Sequence, residues 1–169
     1  IDIHRDVSAK ITLDHYIKAQ TACEILNLLY KNIIREENSA TYGCYASYYM
    51  MRDDKDGCQI GFTAECEMKP EMCDSVLAMM KTIFSNMTKE IDETLFRNAK
   101  ESLLKSYDEL VKTANGFWLD TMWRKVSSGI DFYTDRRKLI EQLTPDELLS
   151  FMKVFQTHAH NSETLMQPE

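Results

Sequence analysis

The chain has 169 residues, of which 44% are hydrophobic and 28% charged, and a formal net charge of −7. That length suits a single domain with a substantial core. The apolar content excludes a disordered chain, and the apolar runs are too short to span a membrane. The acidic balance, with Lys and Arg scattered and no basic stripe, argues against nucleic acid as a partner.

Val7, Ala9, Ile11 and Leu13 alternate with Ser8, Lys10, Thr12 and Asp14, the period-two pattern of a strand with one buried face. From about Ile17 to Glu37 the spacing turns helical. Ala22, Ile25, Leu26, Leu29, Ile33 and Ile34 share one side, and neither Gly nor Pro interrupts them. Arg35 falls in the last turn, where a cation offsets the negative end of the helix dipole, and Asn38-Ser39 ends the helix. Thr41 to Arg52 is rich in Tyr and Met and reads as a strand; Asp56-Gly57 signals a hairpin turn. Cys58, Ile60, Phe62, Ala64, Cys66 and Met68 then alternate with polar residues or glycine, giving a second hairpin strand with an apolar face and a polar face.

After Pro70 the pattern is helical nearly to the end. Met72, Val76, Met79, Met80 and Ile83 form one stripe. Leu95, Ala99, Leu103, Tyr107 and Leu110 form a second, beginning after Thr88. Asn115 is placed to cap a helix carrying Trp118, Met122 and Trp123, with Gly129 at its end; these tryptophans suit core or inter-domain contacts. Thr144-Pro145-Asp146-Glu147 is a capping box, and Glu163 to Gln167 suits a closing strand. The order implies an α+β domain of two layers, an antiparallel sheet packed against several helices. Because the first strand starts almost at once, residues 1–169 are read as one domain whose first strands lie upstream, that is, as a fragment.

None of the five cysteines (Cys23, Cys44, Cys58, Cys66, Cys73) forms a C-x-x-C pair, so neither a zinc ribbon nor a redox motif of that kind is indicated. The odd count favours reduced, buried thiols, with Cys44 opposite Cys66 if the hairpin forms. Of the four histidines, His4, His15, His158 and His160, none has a partner at the spacing that puts two imidazoles on one helix face. His158, His160 and Glu163 offer a remote metal alternative; exposed tail histidines are the ordinary reading. The chain therefore shows no complete catalytic set.

The informative stretch is Ile34-Arg35-Glu36-Glu37 followed by Thr41-Tyr42-Gly43, a long apolar helix running into a T-Y-G strand. It resembles the second-half motif of the pitrilysin/insulinase peptidases, the inverzincins. Met68-Lys69-Pro70-Glu71, the segment Thr88 to Lys100, Asn115-Gly116-Phe117-Trp118, Gly129-Ile130-Asp131 and Leu143-Thr144-Pro145 look like further family landmarks, in family order. The resemblance covers roughly Val7 to the end. It departs at Ser39-Ala40, where many relatives carry glycines.

The resemblance implies the metallohydrolase domain fold of the mitochondrial-processing-peptidase type, and membership of the carboxyl-terminal half of a zinc endopeptidase that closes around peptides. Zinc, held by an H-x-x-E-H motif, and the general base would come from the missing amino-terminal half or from a partner subunit. No metal is then expected on this chain, and the isolated fragment is expected to be inactive. Tyr42 would donate to the oxygen of the scissile carbonyl as charge develops there. Arg35, seven residues earlier, would hold the substrate backbone or orient Tyr42. Strand alternation alone, however, groups Tyr42 with Cys44, Ala46 and Tyr48 on the core face. Tyr45, Ser47 and Tyr49 on the opposite face are candidates for a peptide-binding wall. The resemblance also admits a non-catalytic structural or scaffold subunit of the same fold, and either the bacterial periplasm or the cytoplasm.

Overall fold

A computed structural model describes residues 1–38, 41–53, 57–113 and 115–166. Among them lies one antiparallel sheet of four strands: β1 (Asp2–Ser8), β2 (Thr41–Asp53), β3 (Gly57–Met68) and β4 (His160–Thr164), in the order β2-β3-β1-β4. The helices are α1 (Leu13–Leu29), which continues as a wider π-helical segment over Tyr30–Glu37, then α2 (Cys73–Met87), α3 (Glu93–Thr113), α4 (Asn115–Ser128), α5 (Arg136–Gln142) and α6 (Pro145–Thr157). The expected α+β architecture is present.

Three boundaries differ from the sequence reading. The first strand is Asp2–Ser8 rather than Val7–Leu13. Its core-facing positions Ile3 and Val7 are separated by Arg5, whose guanidinium lies 4.4 Å over the Phe84 ring, so a charged residue masks the alternation. Thr12 accepts from the His15 N–H at 3.1 Å and starts α1. A side-chain cap thus overrides two further residues of strand-like alternation. In α3 the initiating side chain is Asp92, which accepts from the Leu95 N–H at 2.8 Å, while Thr88 closes α2. The last strand begins at His160, before the expected Glu163, because it pairs with β1 from Asp6↔His160 to Asp2↔Thr164.

One face of the sheet carries the core. Phe62 from β3, Phe84 from α2 and Phe151 and Phe155 from α6 meet edge to face, with Phe155 centred 5.1 Å from Phe62 and 5.5 Å from Phe151. Helix α1 touches β2 as well as α3, α5 and α6. It is therefore buried nearly all round, where the sequence suggested a single apolar side. Thr144 and Glu147 form the expected capping box at the head of α6. Gly129 ends α4 in the left-handed region, φ 73°, which glycine adopts without strain.

The long edge of the sheet, β2, is closed by one side chain. The Asn27 amide on α1 donates to the Ala46 carbonyl at 3.0 Å and accepts from the Ala46 N–H at 2.7 Å, standing in for a neighbouring strand. Cys23 Sγ adds a second bond to the same carbonyl at 3.1 Å.

Candidate functional site

Arg35 lies one turn from the end of the π-helical segment, and its side chain is 56% exposed. It makes a loose contact with Glu36 at 3.8 Å, an exposed pair that holds neither side chain firmly. The helix closes on Asn38, which donates from its side chain to the Ile33 carbonyl at 2.5 Å. A π-helical run is uncommon and recurs at functional positions; here it carries the chain from the buried Ile34 toward the start of β2.

β2 opens on an irregularity. Thr41 pairs with Met68 and Gly43 with Glu67, so Tyr42 is an extra residue with no opposite number on β3. Such a bulge changes the parity of a strand. Alternation running back from Tyr48 through Ala46 and Cys44 therefore stops at Gly43, and the core-facing expectation for Tyr42 loses its basis. The Tyr42 side chain lies outside the described residues. Thr41 holds the bulge together: its hydroxyl donates across the hairpin to the Glu67 carbonyl and accepts from the Gly43 N–H at 3.0 Å and from Cys66 Sγ at 3.3 Å.

The three residues expected to form a peptide-facing wall do share the open side of the hairpin. Tyr45 is 53% exposed. The Ser47 and Thr63 hydroxyls, directly opposed, lie 2.6 Å apart. Tyr49 differs from both. Its ring lies across Gly61, where an added Cβ would come 2.3 Å from Tyr49 Cζ, and its hydroxyl extends over β3 toward the Asp6 carboxylate on β1. Partial burial and the neighbouring Asp6 charge both push this phenol up from its ordinary value. One side chain thus spans three strands, which only glycine at 61 permits. His4 continues the polar face on β1, with its Nε2 at 3.1 Å from Asp2.

Sequence reasoning missed Asn27, Thr41 and Gly61. Asn27, a polar residue between Leu26 and Leu28, and Gly61, the one position without a side chain among the polar alternates from Gln59 to Glu67, were the available signals. The remaining histidines are dispersed. His160 is fully on the surface, 3.6 Å from Asp6, and His158 contacts Thr157 at 2.6 Å. Among the described residues no three His, Cys, Asp or Glu side chains converge to hold a metal ion, so the residues present do not fit a catalytic zinc site. Nor, among them, is any helix long and apolar enough to cross a membrane.

A second exposed feature lies on α4. Trp118 packs on Phe117 and Tyr133, with centroids 5.3 and 4.8 Å away, but Trp123 is 69% and Val126 82% exposed. With Leu119 and Met122 they form an apolar stripe at i, i+3, i+4 and i+7 that faces solvent, so Trp123 is not a core residue.

No protein-family model matches the sequence, and no curated protein sequence does either. The fold is nevertheless well represented among solved structures. The periplasmic protease PqqL of Escherichia coli superposes with a TM-score of 0.72 at 16% identity, over 95% of this chain and 18% of that one. An insulinase family protease predicted in Yersinia pestis gives 0.64 at 15% identity, covering 99% of this chain and 40% of that one. The inactive peptidase domain of a proposed zinc protease from Bordetella parapertussis gives 0.69 at 12% identity, over 99% of this chain and 93% of that one. The architecture is that of insulinase-family peptidase domains, and the chain spans about a fifth of the PqqL chain.

Proposed function

We propose that this chain is the carboxyl-terminal, substrate-holding domain of an insulinase-family zinc endopeptidase, with upstream strands and a zinc-bearing half outside the present sequence. The observation that carries the reading is the junction at Arg35–Gly43. A π-helical end presents an exposed guanidinium, and the edge strand of an open polar sheet face begins beyond it on a bulge at Tyr42. Arg35 offers a planar fork of donors for a peptide carbonyl. Tyr42, freed from strict alternation by the bulge, supplies a phenol O–H to the oxygen that gains charge during attack. Tyr45, Ser47 and Tyr49 line the face along which the peptide would lie. Zinc, when bound by the other half, would activate the attacking water; this chain's residues bind, orient and exclude solvent. Requiring two halves makes activity depend on closure. The solvent-facing stripe of α4 supports a packed neighbour, either that half or a partner subunit.

The test is made on the whole protein. Tyr42→Phe and Arg35→Ala should each lower turnover of a peptide substrate about a hundredfold, the cost of a lost oxyanion donor, with an unchanged thermal midpoint. Unchanged turnover in both variants refutes the roles.

A second reading, a non-catalytic subunit of the same fold, is favoured by the Bordetella neighbour, itself an inactive domain of nearly the same length. Metal analysis of the whole protein separates the two, because the scaffold reading requires no bound zinc.

A further inference from the structure

Cys44 and Cys66 occupy directly opposed positions on β2 and β3. Antiparallel pairs alternate between two kinds, and two observations fix which kind this is. The Cys66 N–H and carbonyl are both bonded to Ile1, on the β1 side, at 3.0 Å each, and so are not turned toward Cys44. Two residues along β2, the Ala46 N–H and carbonyl are both taken by Asn27, again away from β3. The cysteines therefore form a pair without mutual backbone hydrogen bonds, the close kind, with Cα atoms about 4.5 Å apart. That separation falls within the span of roughly 4.4–6.8 Å that a disulfide bridges. The two thiols are neighbours on the core-facing side of the hairpin, and each perturbs the ionisation of the other.

We infer that Cys44 and Cys66 form a redox couple, interconverting between dithiol and cross-strand disulfide in the folded protein and thereby setting the state of the bulge at the start of β2. The link to the bulge is Thr41, whose oxygen accepts from Cys66 Sγ in the reduced state. Forming the disulfide removes that S–H donor and ties β2 to β3 two residues beyond Tyr42. The consequence for catalysis rests on the reading of Tyr42 above; the thiol chemistry does not.

The pair is also matched in reactivity. Cys66 is held below the ordinary thiol value chiefly by the neighbouring Cys44, whereas Cys66 in turn, with burial, pushes Cys44 up. Cys66 is only 3% exposed and Cys44 is partly buried, so the oxidant must be small. Hydrogen peroxide meets this condition. The Cys66 thiolate attacks one peroxide oxygen, breaking the O–O bond to give a sulfenic acid and hydroxide. The Cys44 sulfur then attacks the Cys66 sulfur, expelling the sulfenic oxygen as water once both thiol protons are counted. Two thiols are oxidised, one peroxide is reduced, and two waters leave.

The test is thiol mapping of the wild-type protein, exposed to hydrogen peroxide, unfolded, alkylated and digested. The expected product is a Cys44–Cys66 linked peptide lighter by two hydrogens than the free pair, lost on treatment with dithiothreitol. In Cys44→Ser, the same dose should leave Cys66 as a sulfenic acid trapped by dimedone, with no link. The inference is overturned if both cysteines stay fully alkylatable, if Cys66 passes to the sulfinic acid without a link, or if it joins another cysteine instead. No peptidase activity enters the readout, so the outcome is independent of the catalytic proposal.

Discussion

The two faces of the β2–β3 hairpin are made from alternate residues of the same strands, yet they obey different rules. On the helical side, Ile60, Phe62, Ala64 and Cys66 are buried against aromatic rings from α2 and α6. On the other side, Tyr45, Ser47 and Glu65 stand in the open and Thr63 is half-buried, tied by the Ser47–Thr63 contact and by the Tyr49 ring over Gly61. The first face determines that the domain folds. The second is left free of that duty, and so it can be shaped for a ligand.

The contrast can be tested in order of expected effect. Phe62→Ala should lower unfolding free energy by about 3–5 kcal/mol, the cost of truncating a buried aromatic, measured by urea denaturation. Were the loss under about 1 kcal/mol, the helical face would not be the principal source of stability. Gly61→Ala, on the open face, should cost about 1–3 kcal/mol by overpacking against the Tyr49 ring. Adding Tyr49→Ala to it should recover much of that loss, which confines the effect to one contact.

The capping box of α6 belongs to the helical layer and tests it at its rim. Thr144→Ala should cost about 1 kcal/mol. The Glu147 carboxylate is held below its ordinary value by the Thr144 N–H and hydroxyl. Its contribution is therefore present above the ordinary carboxylate value and fades as pH falls through the lowered one. The difference between wild type and Thr144→Ala should shrink correspondingly in acid, as followed by thermal melts across that range. Smallest of all, Thr63→Ala should change stability by no more than about 0.5 kcal/mol, although Thr63 adjoins Phe62 in the chain. A larger loss would mean that the open face helps to hold the sheet together.

Most of the architecture was legible because periodicity reports burial directly. The clean alternation from Ile60 to Met68, the Thr144 box and the Gly129 stop all appear in the structure as read, while the Cys58 side chain lies outside the described residues. What escaped was long-range. Nothing local in Ile1–Ser8 announces that Arg5 lies over Phe84, so a central strand looked like a preface to one. The polar wall of Tyr45, Ser47 and Tyr49 was visible from parity alone. Tyr42 was not, because a bulge is created by pairing and leaves parity arguments valid only on one side of it. For Trp123, read as a core or an inter-domain contact, the exposed side chain removes the core alternative: apolar spacing on α4 marks an uncovered surface as readily as a core. Asn27 and Gly61 each take their meaning from a residue far along the chain, Ala46 and Tyr49 respectively.

The Asn27 amide has a consequence beyond local stability. A thirteen-residue outer strand is an open invitation to any extended segment, from a misfolded copy or from a peptide. By occupying both hydrogen-bonding groups of Ala46, Asn27 blocks that invitation midway, while the opposite border, β4, is only five residues long. An extended segment meeting either border thus finds no long, uninterrupted row of free backbone groups to join.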